Sequence, residues 1–117
     1  MSNKFAYIIT SAPYSSSNGT EAIDAILMGA NFDCDVSVIF IGDGVFQLKK
    51  GQQQGELKDT SKTLLALEDF GVDKVYVDQL SLQARGLQNS DLFIEVDQLD
   101  SNQIASIIAK QQRVFTF

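Results

Sequence analysis

A chain of 117 residues, 44% hydrophobic and 21% charged, has the size and composition of one soluble globular domain that can bury a core without staples. A net charge of −6, with basic residues scattered apart from Lys49-Lys50, excludes electrostatically driven binding to a nucleic-acid backbone. One cysteine excludes an internal disulfide, and the lack of any histidine removes Ser/His and Cys/His catalysis and most transition-metal sites.

The N-terminal apolar run Phe5–Thr10 is too short for a signal or membrane-spanning segment, so a cytoplasmic protein with no membrane contact is expected. Its β-rich composition, bounded by Ser11-Ala12-Pro13, predicts a first strand buried on both faces. A polar loop over Tyr14–Gly19 follows, with Asn18 or Thr20 as helix cap and Glu21 in the first turn. Ala22, Ile23, Ile26, Leu27 and Ala30 recur at helical spacing within Glu21–Asn31. Val36–Ile41 is a second strand that stops at Gly42-Asp43-Gly44, the punctuation of a buried strand turning at the carboxyl edge of a sheet.

Gln52-Gln53-Gln54-Gly55 predicts a loop, and a helix begins near Asp59-Thr60, with Leu64, Leu65, Leu67 and Phe70 as its stripe and Gly71 as C-cap. Val75–Val77 predicts the third strand, and Ser81–Arg85 a short helix ended by Gly86. Leu92–Val96 predicts a fourth strand, Ser101–Gln111 a helix and Val114–Phe117 a last strand. This alternation implies one α/β domain over residues 1–117. Its core is a flavodoxin-like five-stranded parallel sheet with helices on both faces.

Five places carry candidate chemistry or contacts. The Ser11–Gly19 loop could hold a phosphate at a helix N-terminus, which would make a nucleotide- or flavin-binding module; no GxGxxG or Walker lysine accompanies it, and a solvated capping loop is the plainer reading. Asp43 is a lone carboxylate, insufficient for a cation, and suits a helix cap. Val45, Phe46 and Leu48, just beyond the strand end, are either core or a contact patch for another subunit. Cys34 lies between Asp33 and Asp35, whose negative charge opposes thiolate formation. Asp78, ending the third strand, is a helix cap or a general base. No metal site or cofactor follows from any of these.

Ser11-Ala12-Pro13, Glu21-Ala22-Ile23-Asp24-Ala25, Gly42-Asp43-Gly44-Val45-Phe46-Gln47-Leu48, Ser81-Leu82-Gln83-Ala84-Arg85-Gly86-Leu87 and the terminal strand together resemble the DsrE/DsrF-like (DsrEFH-like) family of sulfur-relay proteins, most closely its TusC/DsrF branch. The resemblance implies a small α/β subunit that joins TusB-like and TusD-like subunits in a heterohexamer, a dimer of heterotrimers. Such a complex takes persulfide sulfur from TusA and passes it to TusE for 2-thiolation of tRNA wobble uridine; DsrF-type subunits serve sulfur oxidation instead. It also implies that the active cysteine of the family's sulfur carriers would fall on Asp78, so this chain resembles a non-catalytic, accessory partner, not itself an enzyme. Val45, Phe46, Leu48, Leu82 and Leu87 are then the residues expected at subunit contacts.

Overall fold

The computed structural model describes residues 4–10, 25, 26, 28, 35–48, 72, 74–92 and 96–117. Five strands, β1 (Lys4–Ile9), β2 (Asp35–Phe40), β3 (Lys74–Asp78), β4 (Asp97–Leu99) and β5 (Arg113–Thr116), form one sheet in the order β4-β3-β2-β1-β5. Every pairing is parallel, and β1 matches β2 along its whole length, from Lys4 opposite Asp35 to Ile9 opposite Phe40. Parallel strands need covering on both faces, which is why β1 and β2 read as near-continuous apolar runs.

Alternation along the strands sorts the core into two layers. Tyr7, Ile9, Val36, Val38, Phe40 and Val77 belong to one cluster, completed by Ile26, Val45, Leu48, Val72, Leu82 and Leu92. Ile8, Ile39 and Leu99 belong to the other, closed by Ile104 with Ile107 and Ile108. Ile9, Val38, Ile39 and Phe40 are all at most 1% exposed, and burying each such side chain stabilises the fold by about 1.5–3 kcal/mol.

The strand order follows from the handedness of the crossovers. From β1 to β4 the chain steps in one direction, and its connecting segments supply the first cluster. The final connection reverses direction to bring β5 beside β1; a right-handed crossover then requires its helix, Ser101–Ala109, on the opposite face. That helix starts at a full capping box: Asp100 Oδ1 accepts from Gln103 N–H at 2.8 Å, and Gln103 Oε1 accepts from Asp100 N–H at 2.9 Å.

The five-stranded parallel sheet is the one the sequence predicts, and several details within it differ. Its order 4-3-2-1-5 departs from the 2-1-3-4-5 of flavodoxin: β5, not β3, is the second neighbour of β1. The fourth strand is Asp97–Leu99, beginning just past the predicted Leu92–Val96, while Leu92 is buried in the first core layer after a 3₁₀ turn at Asn89–Asp91. An edge strand tolerates the exposed Asp97 because only part of it faces the core. The last helix ends at Ala109, two residues early, where Lys110 and Gln111 N–H close onto Ile107 and Ile108 carbonyls. Ala25, Ile26 and Met28 are helical as expected. The loop at 11–19, the caps Asn18, Thr20 and Glu21, Cys34, the glutamine triplet and the helix from Asp59 to Gly71 lie outside the described residues.

Beyond β2 the chain makes a 3₁₀ helix, Gly42–Leu48, across the ends of β1 and β2. Gly44 is packed so tightly that a Cβ there would lie 1.9 Å from the Ile9 carbonyl oxygen. Gly86, by contrast, has φ +67°, and a Cβ added there would meet nothing within 4 Å. Gly44→Ala is therefore expected to lower stability by about 3 kcal/mol, through backbone displacement. Gly86→Ala should lose only about 1–2 kcal/mol, from left-handed backbone strain. Urea unfolding midpoints of the two variants, at unchanged slope, measure the difference.

Candidate functional site at the carboxyl edge

Three predicted features, Gly42-Asp43-Gly44, Asp78 and Arg85-Gly86-Leu87, come together at the carboxyl ends of β2 and β3. Strand β3 runs directly into the helix Gln79–Ala84, with Asp78 at its N-cap in extended conformation. The Asp78 side chain does not bond to the helix's backbone amides. It accepts instead from Ser81 Oγ at 2.5 Å, a short charge-assisted bond. Ser81 Oγ in turn accepts from Gly42 N–H at 2.8 Å, across 39 residues of sequence. Gly42 takes φ +60°, a conformation suited to glycine, as β2 turns into the 3₁₀ helix.

A second link spans the same two segments. Arg85 Nη2 and Nε donate to a single Asp43 oxygen, at 2.9 and 3.1 Å, and Nη1 donates to the Ser81 carbonyl at 3.2 Å. Arg85 is placed for this by the end of the helix. Leu87 N–H bonds to Leu82 O at 2.9 Å and Gly86 N–H to Gln83 O at 3.2 Å, with Gly86 in the left-handed conformation. That is a Schellman ending.

The expected contact residues divide. Val45 and Leu48 are fully buried and Leu82 is 1% exposed, all within the first core layer. Those three belong to the chain's own core and offer no surface to a partner, because the 3₁₀ helix and the short helix both pack down onto the sheet. Phe46 is half-buried, and Leu87 is partly buried against the same layer. The short helix also carries Leu80, 58% exposed, which sequence patterning alone does not single out. Ser81 is a second residue that escapes such reasoning. Its signal is the Asp78-x-x-Ser81 spacing, which puts both side chains on one face of a helical turn. Asp43 is engaged by Arg85, a partner that no local pattern announces.

Among the described residues, no three Asp, Glu, Cys or His side chains converge to hold a metal ion, and no helix is long and apolar enough to cross a membrane. The change of direction in the sheet falls between β1 and β5, the usual ligand crevice of an open α/β sheet. There Thr10 N–H and Oγ1 both donate to the Phe117 carbonyl, at 2.8 and 3.0 Å, joining the two strand ends directly.

The sequence matches the DsrE/DsrF-like family model over residues 3–117. The chain belongs to the DsrE/DsrF-like family. A relative named Protein TusC homolog from Vibrio vulnificus is 37% identical over 98% of this chain and 99% of its own length. The intracellular sulfur oxidation protein DsrF of Allochromatium vinosum is also 37% identical, over 97% of this chain and 96% of its own. The crystal structure of the ychN protein from E. coli shares the fold of this DsrE/DsrF-like chain, with a TM-score of 0.87 over 98% of this chain and 99% of that one, at 20% identity.

The two links at the carboxyl edge differ in strength. With Asp43 at 62% side-chain exposure and both guanidinium bonds on one oxygen, the ion pair contributes at most about 1 kcal/mol. A double-mutant cycle of Asp43→Ala and Arg85→Ala is expected to give a coupling below about 1 kcal/mol that shrinks further in high salt.

Proposed function

We propose that this chain is the non-catalytic, TusC-like subunit of a sulfur-relay complex. In this reading it assembles with TusB-like and TusD-like subunits as a dimer of heterotrimers. The complex carries persulfide sulfur from TusA towards TusE for 2-thiolation of tRNA wobble uridine. The observation that carries the reading is the near-full-length similarity, at 37% identity, to a protein named TusC homolog.

The chemistry of the carboxyl edge supports an accessory role. Sulfur transfer needs an accessible thiolate favoured by positive charge or a helix N-terminus. On the family resemblance the sulfur-carrying position falls on Asp78, whose carboxylate is held by Ser81 and cannot form a persulfide. The single cysteine, Cys34, sits between two aspartates in sequence. What remains is shape. Phe46 on the 3₁₀ helix, Leu80 on the short helix and Leu87 just beyond that helix are the proposed contacts with partner subunits. Large apolar side chains surrounded by polar ones are the usual anchors of such interfaces.

The equal similarity to DsrF favours one second reading, a subunit of the same kind working in sulfur oxidation. Deleting the gene and measuring 2-thiouridine in tRNA separates the two: loss of the modified base supports tRNA thiolation, and unchanged levels support the DsrF-type role.

Coexpression with TusB-like and TusD-like proteins is expected to yield one co-eluting complex at low salt. Phe46→Asp should weaken co-elution by about tenfold or more in apparent affinity while the subunit keeps its circular dichroism spectrum. Separate elution of the wild-type chains would overturn the subunit reading. Exposure to a persulfide donor should leave the mass of the isolated chain unchanged; a stable gain of sulfur that disappears in Cys34→Ser would make the chain a carrier instead.

A further inference from the structure

We propose that Asp78 is a positioning residue: its carboxylate fixes the Ser81 hydroxyl as acceptor for the Gly42 N–H and thereby sets the carboxyl-edge 3₁₀ helix in its docking conformation. A serine hydroxyl has one proton and two lone pairs, and it rotates to suit its surroundings. A carboxylate only accepts, so the bond of Ser81 to Asp78 commits the proton and leaves the lone pairs for Gly42. Ser81 is 7% exposed, so water has little access to redirect it. Asp78 occupies the N-cap without bonding to the helix amides, so its side chain serves this bond instead of the usual capping role.

The chain of bonds ends on a segment that both core and surface use. Gly42–Leu48 sends Val45 and Leu48 into the first layer and leaves Phe46 half-buried. Fixing such a segment before association removes part of the ordering entropy that binding would otherwise cost. The docking half of the inference rests on the subunit reading above; the clasp itself does not.

Amide hydrogen exchange of the full chain tests the clasp without any partner. In Asp78→Ala and Ser81→Ala the Gly42 amide is expected to exchange about tenfold faster, while amides of β1 and β2 keep their protection. Asp78→Asn keeps an acceptor oxygen and should restore most of the protection, a rescue that loss of bulk alone would not produce. Should Asp78→Ala fail to fold, Ser81→Ala and Asp78→Asn carry the same comparison. Unchanged Gly42 exchange in Ser81→Ala, with the sheet amides still protected, overturns the clasp. Faster Gly42 exchange with undiminished affinity of the variants for the TusB-like and TusD-like subunits overturns the docking half. Failure of the wild-type chain to co-elute overturns the subunit reading and leaves the clasp standing on the exchange result.

Discussion

Close backbone contact between Gly44 and the Ile9 carbonyl is the constraint on which the carboxyl edge of this sheet depends. There is no room for a side chain at that point, where a Cβ would come within 1.9 Å of the Ile9 oxygen. Because the chain can press this closely onto the end of β1, the 3₁₀ helix lies across the sheet edge, and Val45 and Leu48 reach the core with no exposed surface. The same crossing brings Gly42 to Ser81 and Asp43 to Arg85, so the ends of β2 and β3 are tied by two polar links above one apolar one. Interior packing here is decided by a single missing methyl group.

Much of this edge is legible in the sequence, and what is illegible has a physical reason. Strands β1 and β2 announce themselves through near-continuous runs rich in β-branched and aromatic residues, since burial on both faces favours apolar residues at most positions. Gly86 marks a helix end because left-handed backbone suits glycine. The fourth strand is hard to place because the apolar run beginning at Leu92 outweighs Asp97-Gln98-Leu99, whose strand character comes from pairing with Tyr76, Val77 and Asp78. Whether Val45 is core or surface cannot be read from its identity. That depends on where the segment lies relative to the sheet, which a long-range backbone contact sets. Asp43 meeting Arg85 and Ser81 meeting Gly42 are similarly products of the fold, joining residues 42 and 39 positions apart.

Among the described residues, polar side chains at the carboxyl edge are bonded to one another, as the Asp78–Ser81–Gly42 and Asp43–Arg85–Ser81 links show, and these links hold backbone segments in place. Membership of the DsrE/DsrF-like family accounts for the fold; what this sheet edge does is decided by the side chains that stand on it. Exposed Leu80 and half-buried Phe46 give that edge an apolar character unlike the polar outer face of the Ser101–Ala109 helix.

Strand β1 has one neighbour close in sequence and one very distant. Its second partner, β5, is stapled to it by Lys4 and Gln112, 108 residues apart, and by the stacking of Phe115 on Tyr7 at 5.2 Å. During synthesis, β1 leaves the ribosome early but gains this flank only when residues 113–116 emerge. Until then one side of a strongly apolar strand stands open, a template for intermolecular pairing. The aromatic contacts of Phe115 with Tyr7 and Phe5 thus close the sheet between chain segments far apart in sequence, the kind of pairing whose loop-closure entropy is lost before its contacts reward it.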